Sequence, residues 1–285
     1  MPRPALALVL LLAGASAADG PTTAEPTDFI RFVEAESGDS LQTALVRYQR
    51  DDGVQVDLIG AVHVADRAYF DELNRRFTAY EAVLYELIGG PHPGKDQPRA
   101  GAADERLAWL GQLQESVRRS LELEGQLACI DYGAANFVHA DLTTEAFFAS
   151  QEKRQESFLG LWFKALQAQK AAAGERPQPG LAALLRILFS GDSATEMKRL
   201  IGREFDSLEP VLAGVEAGGG TTLVGERNRH ALEVMAREVQ NGRRKLAIFY
   251  GAAHLPDLET RLLALGFRRE RIDYLKAWHL PARKS

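Results

Sequence analysis

The sequence predicts an α/β fold, with a central, mostly parallel sheet built from two strand–helix–strand (βαβ) units and a helical cap inserted between them. Three observations support this prediction. Short apolar runs of strand length alternate with helical apolar patterns over residues 54–88 and again over residues 245–278. Between these units, about residues 102–215 carry a mostly helical pattern. With 46% hydrophobic and 26% charged residues, the 285-residue chain has the composition of a globular protein.

The first unit begins with a β-hairpin. The turn sequence at residues 51–53 (Asp-Asp-Gly) separates two apolar runs, residues 41–48 and 54–60. Residues 69–80 then carry apolar side chains at helical spacing. The apolar run over residues 82–88 is typical of a buried strand and completes the unit.

The second unit lies near the C-terminus. Residues 246–250 form a buried apolar strand, and Pro256 suits the first turn of the helix that follows. Gly266 is typical of the end of that helix, and residues 271–278 predict a last strand. We expect residues 29–285 to form a single domain that includes the helical cap.

The N-terminus predicts an export signal. Arg3 precedes an apolar run over residues 5–13, and small residues follow up to Ala18, so residues 1–18 match a secretory signal peptide. The run is too short to span the ~30 Å hydrocarbon core of a membrane, which disfavours the alternative of an uncleaved anchor. We therefore expect a periplasmic or extracellular protein that has no membrane span after cleavage, with residues 19–28 as a linker.

Charge and motifs exclude several functional classes. Lys and Arg total 34 against 39 Asp and Glu, so the net charge of −5 gives no attraction to nucleic acid. Cys129 is the single cysteine, which excludes an intramolecular disulfide, and its apolar neighbours predict a buried thiol rather than a nucleophile. The chain has no Gly-x-Ser-x-Gly elbow, no Walker P-loop and no Rossmann glycine motif.

A Gly-x-x-His motif occurs twice, from Gly60 to His63 and from Gly251 to His254. Each copy follows an apolar strand and precedes an amphipathic helix. Because ligands bind outside the carboxyl ends of strands in open α/β sheets, the two histidines converge there if their strands are neighbours. The alternative is that each histidine caps its helix or bonds a loop carbonyl.

Glu86 lies within the apolar run that predicts a buried strand, near its carboxyl end. A buried carboxylate costs several kcal/mol unless it is paired or bound to metal. Together with His63 and His254 it matches a catalytic divalent-metal site with open positions for water, which is the interpretation we favour. The alternative is a buried ion pair between Glu86 and Arg227.

Other polar residues are weaker candidates. Arg227 and Asn228 open a predicted helix, where polar groups can face an anion or a developing oxyanion; the alternative is a solvated, capped helix start. His139 and Asp141 lie in a polar cluster with aromatic residues. They are candidates to line the site, although the pattern favours a loop contact.

These motifs resemble the TraB/PrgY/GumN family, which is related to the TIKI proteases. The resemblance covers about residues 30–280, and the motifs occur in the order of the family. They are residues 58–63 followed by Tyr69-Phe70, Tyr85-Glu86-Leu87, Glu226-Arg227-Asn228 and residues 251–254. The wider superfamily includes erythromycin-esterase-like and ChaN-like haem-binding proteins.

The resemblance implies His63, Glu86 and His254 as site residues, with Arg227 and Asn228 as their neighbours. The TIKI branch is described as metal-dependent peptidases that use manganese or cobalt. The resemblance therefore implies a divalent metal ion as the cofactor, with manganese, cobalt and zinc as the candidates.

The resulting hypothesis is an exported metal-dependent hydrolase, with peptidase as the leading reaction and a peptide or small molecule as substrate. His63 and His254 would hold the ion, and Glu86 would be the third ligand or the general base. Arg227 or Asn228 would stabilise charge on the carbonyl oxygen. Two alternatives stay open: a non-enzymatic haem, metal or peptide-binding protein that uses the same crevice, and a metal-free hydrolase with a histidine base.

Overall fold

The structure is a computed structural model that describes residues 27–92, 105–154, 192–203 and 221–282. Its elements, in chain order, are β1 (Ile30–Val33), β2 (Asp39–Gln49), β3 (Gln55–Ala61), β4 (Val64–Ala65), α1 (Arg67–Phe77), β5 (Ala82–Tyr85), α2 (Glu105–Ser120), β6 (Glu124–Gly125), α3 (Gln126–Cys129), β7 (Phe137–His139), α4 (Thr144–Lys153), a π-turn (Thr222–Glu226), α5 (Arg227–Gln240), β8 (Lys245–Gly251), a 3₁₀ turn (Ala252–His254), α6 (Leu255–Ala264) and β9 (Arg268–Leu280). Residues 193–203 are also helical. The predicted α/β class is confirmed.

The large sheet has seven strands, of which β2 alone runs against the others. Antiparallel ladders join β2 to β1, β3 and β9. Parallel ladders join β3 to β8, β8 to β5 and β5 to β7. Because β9 pairs along the whole of β2, β1 and β3 share the opposite edge of that strand.

Strand β8 of the second unit lies between the two strands of the first unit. Ala61 at the end of β3 pairs with Gly251 at the end of β8, and Tyr85 at the end of β5 pairs with Phe249. The carboxyl ends of all three strands therefore meet at one edge of the sheet. This edge is where a functional crevice is expected in an open α/β sheet.

Several predicted elements are confirmed. β2 and β3 form the hairpin, and Gly53 adopts a φ of +84° in its turn, which favours glycine. α1 covers most of the predicted helix, and α6 begins with Pro256 in its first turn. Gly266 follows α6 with a φ of +83°, as expected of a residue that ends a helix.

The strand predicted over residues 82–88 is shorter than expected. β5 ends at Tyr85, so Glu86 follows the strand and does not lie within it. Gly89 and Gly90 take φ values of +102° and +113°, so the chain turns shortly after the strand ends. The apolar run over residues 82–88 therefore does not indicate where β5 ends.

The stretch predicted as a helical cap also contributes to the sheet. Phe137–His139 forms β7, the edge strand that pairs in parallel with β5. A strand of three residues is too short to produce an alternating pattern, which explains why the sequence did not indicate it. The other described elements of this stretch are α2, α3, α4, β6 and the helical residues 193–203.

Apolar side chains bury both faces of the sheet. On one face, α1 contributes the buried residues Tyr69, Phe70, Leu73 and Phe77. On the other, α5 and α6 contribute Ala231, Val234, Met235, Leu255, Leu258 and Leu262. Removal of this apolar surface from water is the main stabilising contribution to such a fold. Cys129 is buried on the α1 side, as predicted.

The predicted signal peptide and most of the linker lie outside the described residues. Thr27, near the end of the predicted linker, is buried, and its hydroxyl donates a 2.7 Å hydrogen bond to Glu259 of α6. In the part of the chain that the structure describes, no helix combines the length and the apolar character needed to cross a membrane.

Candidate active site

Glu86 and His254 meet at the carboxyl ends of β5 and β8. The distance between Glu86 Oε2 and His254 Nε2 is 3.3 Å, and the two side chains are 8% and 7% exposed. Glu86 is the first residue after β5, and His254 ends the 3₁₀ turn that follows β8. Because β5 and β8 are neighbours, the topology of the sheet brings these two predicted site residues together.

Gly251 supports the carboxylate of Glu86. Its backbone N–H donates a 2.8 Å hydrogen bond to Glu86 Oε1. A Cβ atom added at Gly251 would lie 3.0 Å from the same oxygen. The glycine of the second motif therefore leaves room for the carboxylate beside the backbone, where a larger residue would crowd it. The glycine of the first motif serves a different purpose, because a Cβ at Gly60 would meet Leu255 Cδ1 at 3.3 Å.

The buried guanidinium of Arg227 joins four partners. Nη1 donates to His254 Nε2 at 3.1 Å and to the carbonyl of Leu223 at 3.3 Å, and Nη2 donates to Glu86 Oε2 at 3.2 Å. Nε and Nη2 bind Asp141 in a bidentate pair at 2.9 and 2.7 Å. A guanidinium has five N–H donors, so each donor of Arg227 has an acceptor.

Asp141 and Glu86 together keep Arg227 charged. Burial by itself lowers the pKa of Arg227, but Asp141, and after it Glu86, outweigh this effect and raise the pKa above its usual value. At their formal charges, Glu86, Asp141 and Arg227 sum to −1. A surplus negative charge in a buried cluster favours a further cation.

Asn228 determines which ring nitrogen of His254 carries the proton. The amide nitrogen of Asn228 donates to the carbonyl of His254 at 2.9 Å and to Asp257 at 2.8 Å. Its oxygen is then left to accept the 2.7 Å hydrogen bond from His254 Nδ1. The lone pair of Nε2 therefore faces Glu86 and Arg227. Burial, followed by the charges of Arg227 and His63, holds the pKa of His254 well below its usual value.

His63 is exposed, unlike Glu86 and His254. Its backbone carbonyl accepts a 2.9 Å hydrogen bond from Gln126 of α3. Its side chain lies close enough for its charge to lower the pKa of His254. Among the described residues, no three His, Cys, Asp or Glu side chains are grouped so as to hold a metal ion. The close contact thus involves two of the three predicted ligands.

Glu86 and His254 fit two adjacent ligands of one divalent ion. At 3.3 Å, a carboxylate oxygen and an imidazole nitrogen, both common ligands of divalent ions, lie close enough to contact the same ion. The hydrogen bond from Nδ1 to Asn228 is the orienting contact that metal-binding histidines usually make. Arg227 already donates to His254 Nε2 and Glu86 Oε2, at 3.1 and 3.2 Å, so the buried ion pair between Glu86 and Arg227 that the sequence offered as the alternative is present. An ion at this position would replace both hydrogen bonds.

Asp141 has a larger part in the site than the sequence indicated. The pattern favoured a loop contact, but its carboxylate is fully buried against Arg227. The signal was missed because Asp141 follows β7, the three-residue strand that the pattern did not reveal. His139 does make a loop contact, since its Nε2 lies 2.7 Å from the carbonyl of Leu87.

Arg227 and Asn228 have no spare donor for an oxyanion in this arrangement. All five N–H groups of Arg227 and both amide hydrogens of Asn228 have acceptors. Both residues therefore orient Glu86 and His254.

Comparisons with protein-family models, with curated proteins and with solved structures find no match for this chain.

Proposed function

We propose that this chain is an exported metal-dependent hydrolase, with a peptide as the leading substrate class, centred on Glu86 and His254. The observation that carries the proposal is the 3.3 Å contact between Glu86 Oε2 and His254 Nε2 at the carboxyl ends of neighbouring parallel strands. The resemblance to the TraB/PrgY/GumN family supports it from the sequence, and we propose membership of that family.

In this proposal Glu86 and His254 would be two ligands of the ion, and His63 would be the third. A divalent ion, whether manganese, cobalt or zinc, supplies a lower pKa for a bound water and polarisation of the scissile carbonyl. The residues of the chain orient these ligands. Gly251 holds the second oxygen of Glu86, and Asn228 holds the proton on the far side of the His254 ring.

A second candidate function is a non-enzymatic protein that binds a metal, haem or a peptide in the same crevice. One observation favours it. The side chains of Glu86, His254 and Arg227 are only 8%, 7% and 9% exposed, so they offer little surface to a large substrate. An ion needs far less access than a peptide does.

Export is part of the proposal. It is supported by the signal-like sequence over residues 1–18, with its apolar run and small residues before the expected cleavage point. Exported proteins meet an oxidising environment. A single cysteine, buried in the fold, is compatible with that environment.

The test is metal analysis of the purified mature protein, together with cleavage of a broad peptide library before and after chelation. We expect about one divalent ion per chain and cleavage that chelation abolishes and the ion restores. Bound ion without cleavage of any peptide would support the binding protein instead. Cleavage that survives exhaustive chelation would contradict the role of the ion, and neither ion nor cleavage would overturn the proposal.

A further inference from the structure

The carboxylate of Asp141 holds Arg227 in place beside the Glu86–His254 pair. Asp141 is fully buried and accepts two hydrogen bonds from the guanidinium, at 2.9 and 2.7 Å. These are shorter than the bonds of Arg227 to His254 and to Glu86, at 3.1 and 3.2 Å. Asp141 is thus the principal partner of the guanidinium.

This arrangement limits the number of hydrogen bonds that Arg227 donates to Glu86. A free guanidinium next to a carboxylate forms a bidentate pair that uses both oxygens. Here Asp141 occupies one such edge of Arg227, so Glu86 receives one hydrogen bond from it and keeps Oε1 for Gly251. Asp141 also adds the negative charge that brings the formal sum of the three buried charges to −1.

We propose that Asp141 is the positioning residue that sets the affinity of the Glu86–His254 pair for a divalent cation. Asp141 acts through Arg227. It would keep the guanidinium paired if a bound cation displaced the hydrogen bonds of Arg227 to His254 and Glu86. The inference rests on the proposed function, because it concerns the same ion. Nothing in the sequence pattern assigned Asp141 this role.

Asp57 offers a matched control in the same sheet. It is fully buried in β3 and accepts a bidentate pair from Arg47 at 3.1 and 3.0 Å. It also accepts a 2.7 Å hydrogen bond from Tyr80. Asp57 lies four positions before Ala61, which ends β3, a distance of roughly 13 Å along a strand. Its loss disturbs a similar ion pair away from the site.

The experiment compares Asp141→Asn and Asp57→Asn with the wild-type chain by calorimetric titration with Mn²⁺ and Zn²⁺, alongside thermal unfolding. Both variants should lower the melting temperature. Asp141→Asn removes the principal carboxylate partner of buried Arg227, and Asp57→Asn removes the carboxylate that pairs with half-buried Arg47. Only Asp141→Asn should weaken ion binding, by roughly 10- to 100-fold. Asp141→Glu, which keeps the charge but displaces it by one methylene, should show a smaller loss.

The outcomes separate this inference from the proposed function. Unchanged affinity in both Asp141 variants, with ion binding in the wild type, would overturn the role of Asp141 alone. An equal loss of affinity in Asp57→Asn would show that the effect is general destabilisation, and would also overturn it. A wild-type chain that binds neither ion would overturn both proposals. If Asp141→Asn does not fold, Asp141→Glu decides the question.

Discussion

Asn228 accepts a 2.7 Å hydrogen bond from Nδ1 of His254, and this contact turns the lone pair of the imidazole toward Glu86. Both side chains are buried, and Asn228 has no exposed surface at all. The amide of Asn228 is fixed in turn by Asp257 and by the backbone of His254. The orientation of the ring is therefore built into the fold before any ligand arrives.

Substitution of Asn228 should impair both stability and ion binding. Asn228→Leu leaves the buried Nδ1 proton of His254 without an acceptor, so we expect a loss of roughly 1–3 kcal/mol in the free energy of unfolding. The affinity for Mn²⁺ should fall roughly 10-fold or more. Urea unfolding and calorimetric titration measure the two effects.

Asn74 provides the control for that variant. Its amide nitrogen donates a 2.8 Å hydrogen bond to the carbonyl of Cys129, and its amide oxygen accepts a 3.0 Å hydrogen bond from the backbone N–H of Asp131. Asn74→Leu should destabilise the chain without changing its affinity for the ion. If the two variants lose affinity equally, the orienting role of Asn228 is wrong.

A methyl group at Gly251 should displace the carboxylate of Glu86. The added Cβ would stand 3.0 Å from Oε1, so Gly251→Ala should destabilise the fold by roughly 1–3 kcal/mol and weaken ion binding. Gly111 in α2 has no atom within 4 Å of an added Cβ. Gly111→Ala should stabilise the helix by up to about 1 kcal/mol and leave ion binding unchanged. Equal effects of the two substitutions on affinity would contradict this account.

Buried tyrosines should make the fold sensitive to alkaline pH. Five of the seven tyrosines in the chain have a raised pKa, with burial as the largest cause in each: Tyr48, Tyr69, Tyr80, Tyr132 and Tyr250. In the unfolded chain a tyrosine titrates near pH 10. Because the folded pKa is the higher one, their contribution is complete below about pH 10 and is lost as the pH rises further.

Ultraviolet absorbance of tyrosinate, followed together with circular dichroism, measures this effect. The five phenols should ionise in the same transition in which the secondary structure is lost. Tyr48→Phe should reduce that step to four phenols, while Glu259 keeps its hydrogen bond from Thr27. Gradual ionisation of all seven tyrosines in a chain that remains folded would contradict the burial described here.

Local patterns predicted much of the fold and part of the site. Several elements have a local sequence pattern that predicts them within a few residues: turn residues for the hairpin, helical spacing for α1 and α6, and apolar runs for the parallel strands β3, β5 and β8. The second glycine motif also has a local cause, because Gly251 must admit the carboxylate of Glu86. Glu86 stood out because it is a charged residue in an apolar run.

Long-range pairing accounts for what the sequence did not reveal. The insertion of β8 between β3 and β5 joins residues that are 190 positions apart in one ladder and 164 in the other, and no local pattern specifies it. The parallel pairing of β5 with β7 brings Glu86 and Asp141 to one edge of the sheet, where both contact Arg227. Asp141 belongs to a loop beside a three-residue strand, which is below the length at which periodicity is informative.

The most direct test of the central claim is equilibrium binding of Mn²⁺ and Zn²⁺ to the wild-type chain, Glu86→Gln, His254→Ala and His63→Ala, with exposed His279→Ala as the control. We expect Glu86→Gln and His254→Ala each to lose ion binding by large factors while circular dichroism shows an intact fold. His63→Ala should lose it too, and His279→Ala should bind as the wild type does. Equal ion binding in all five proteins would contradict the claim that Glu86 and His254 form a divalent-metal site.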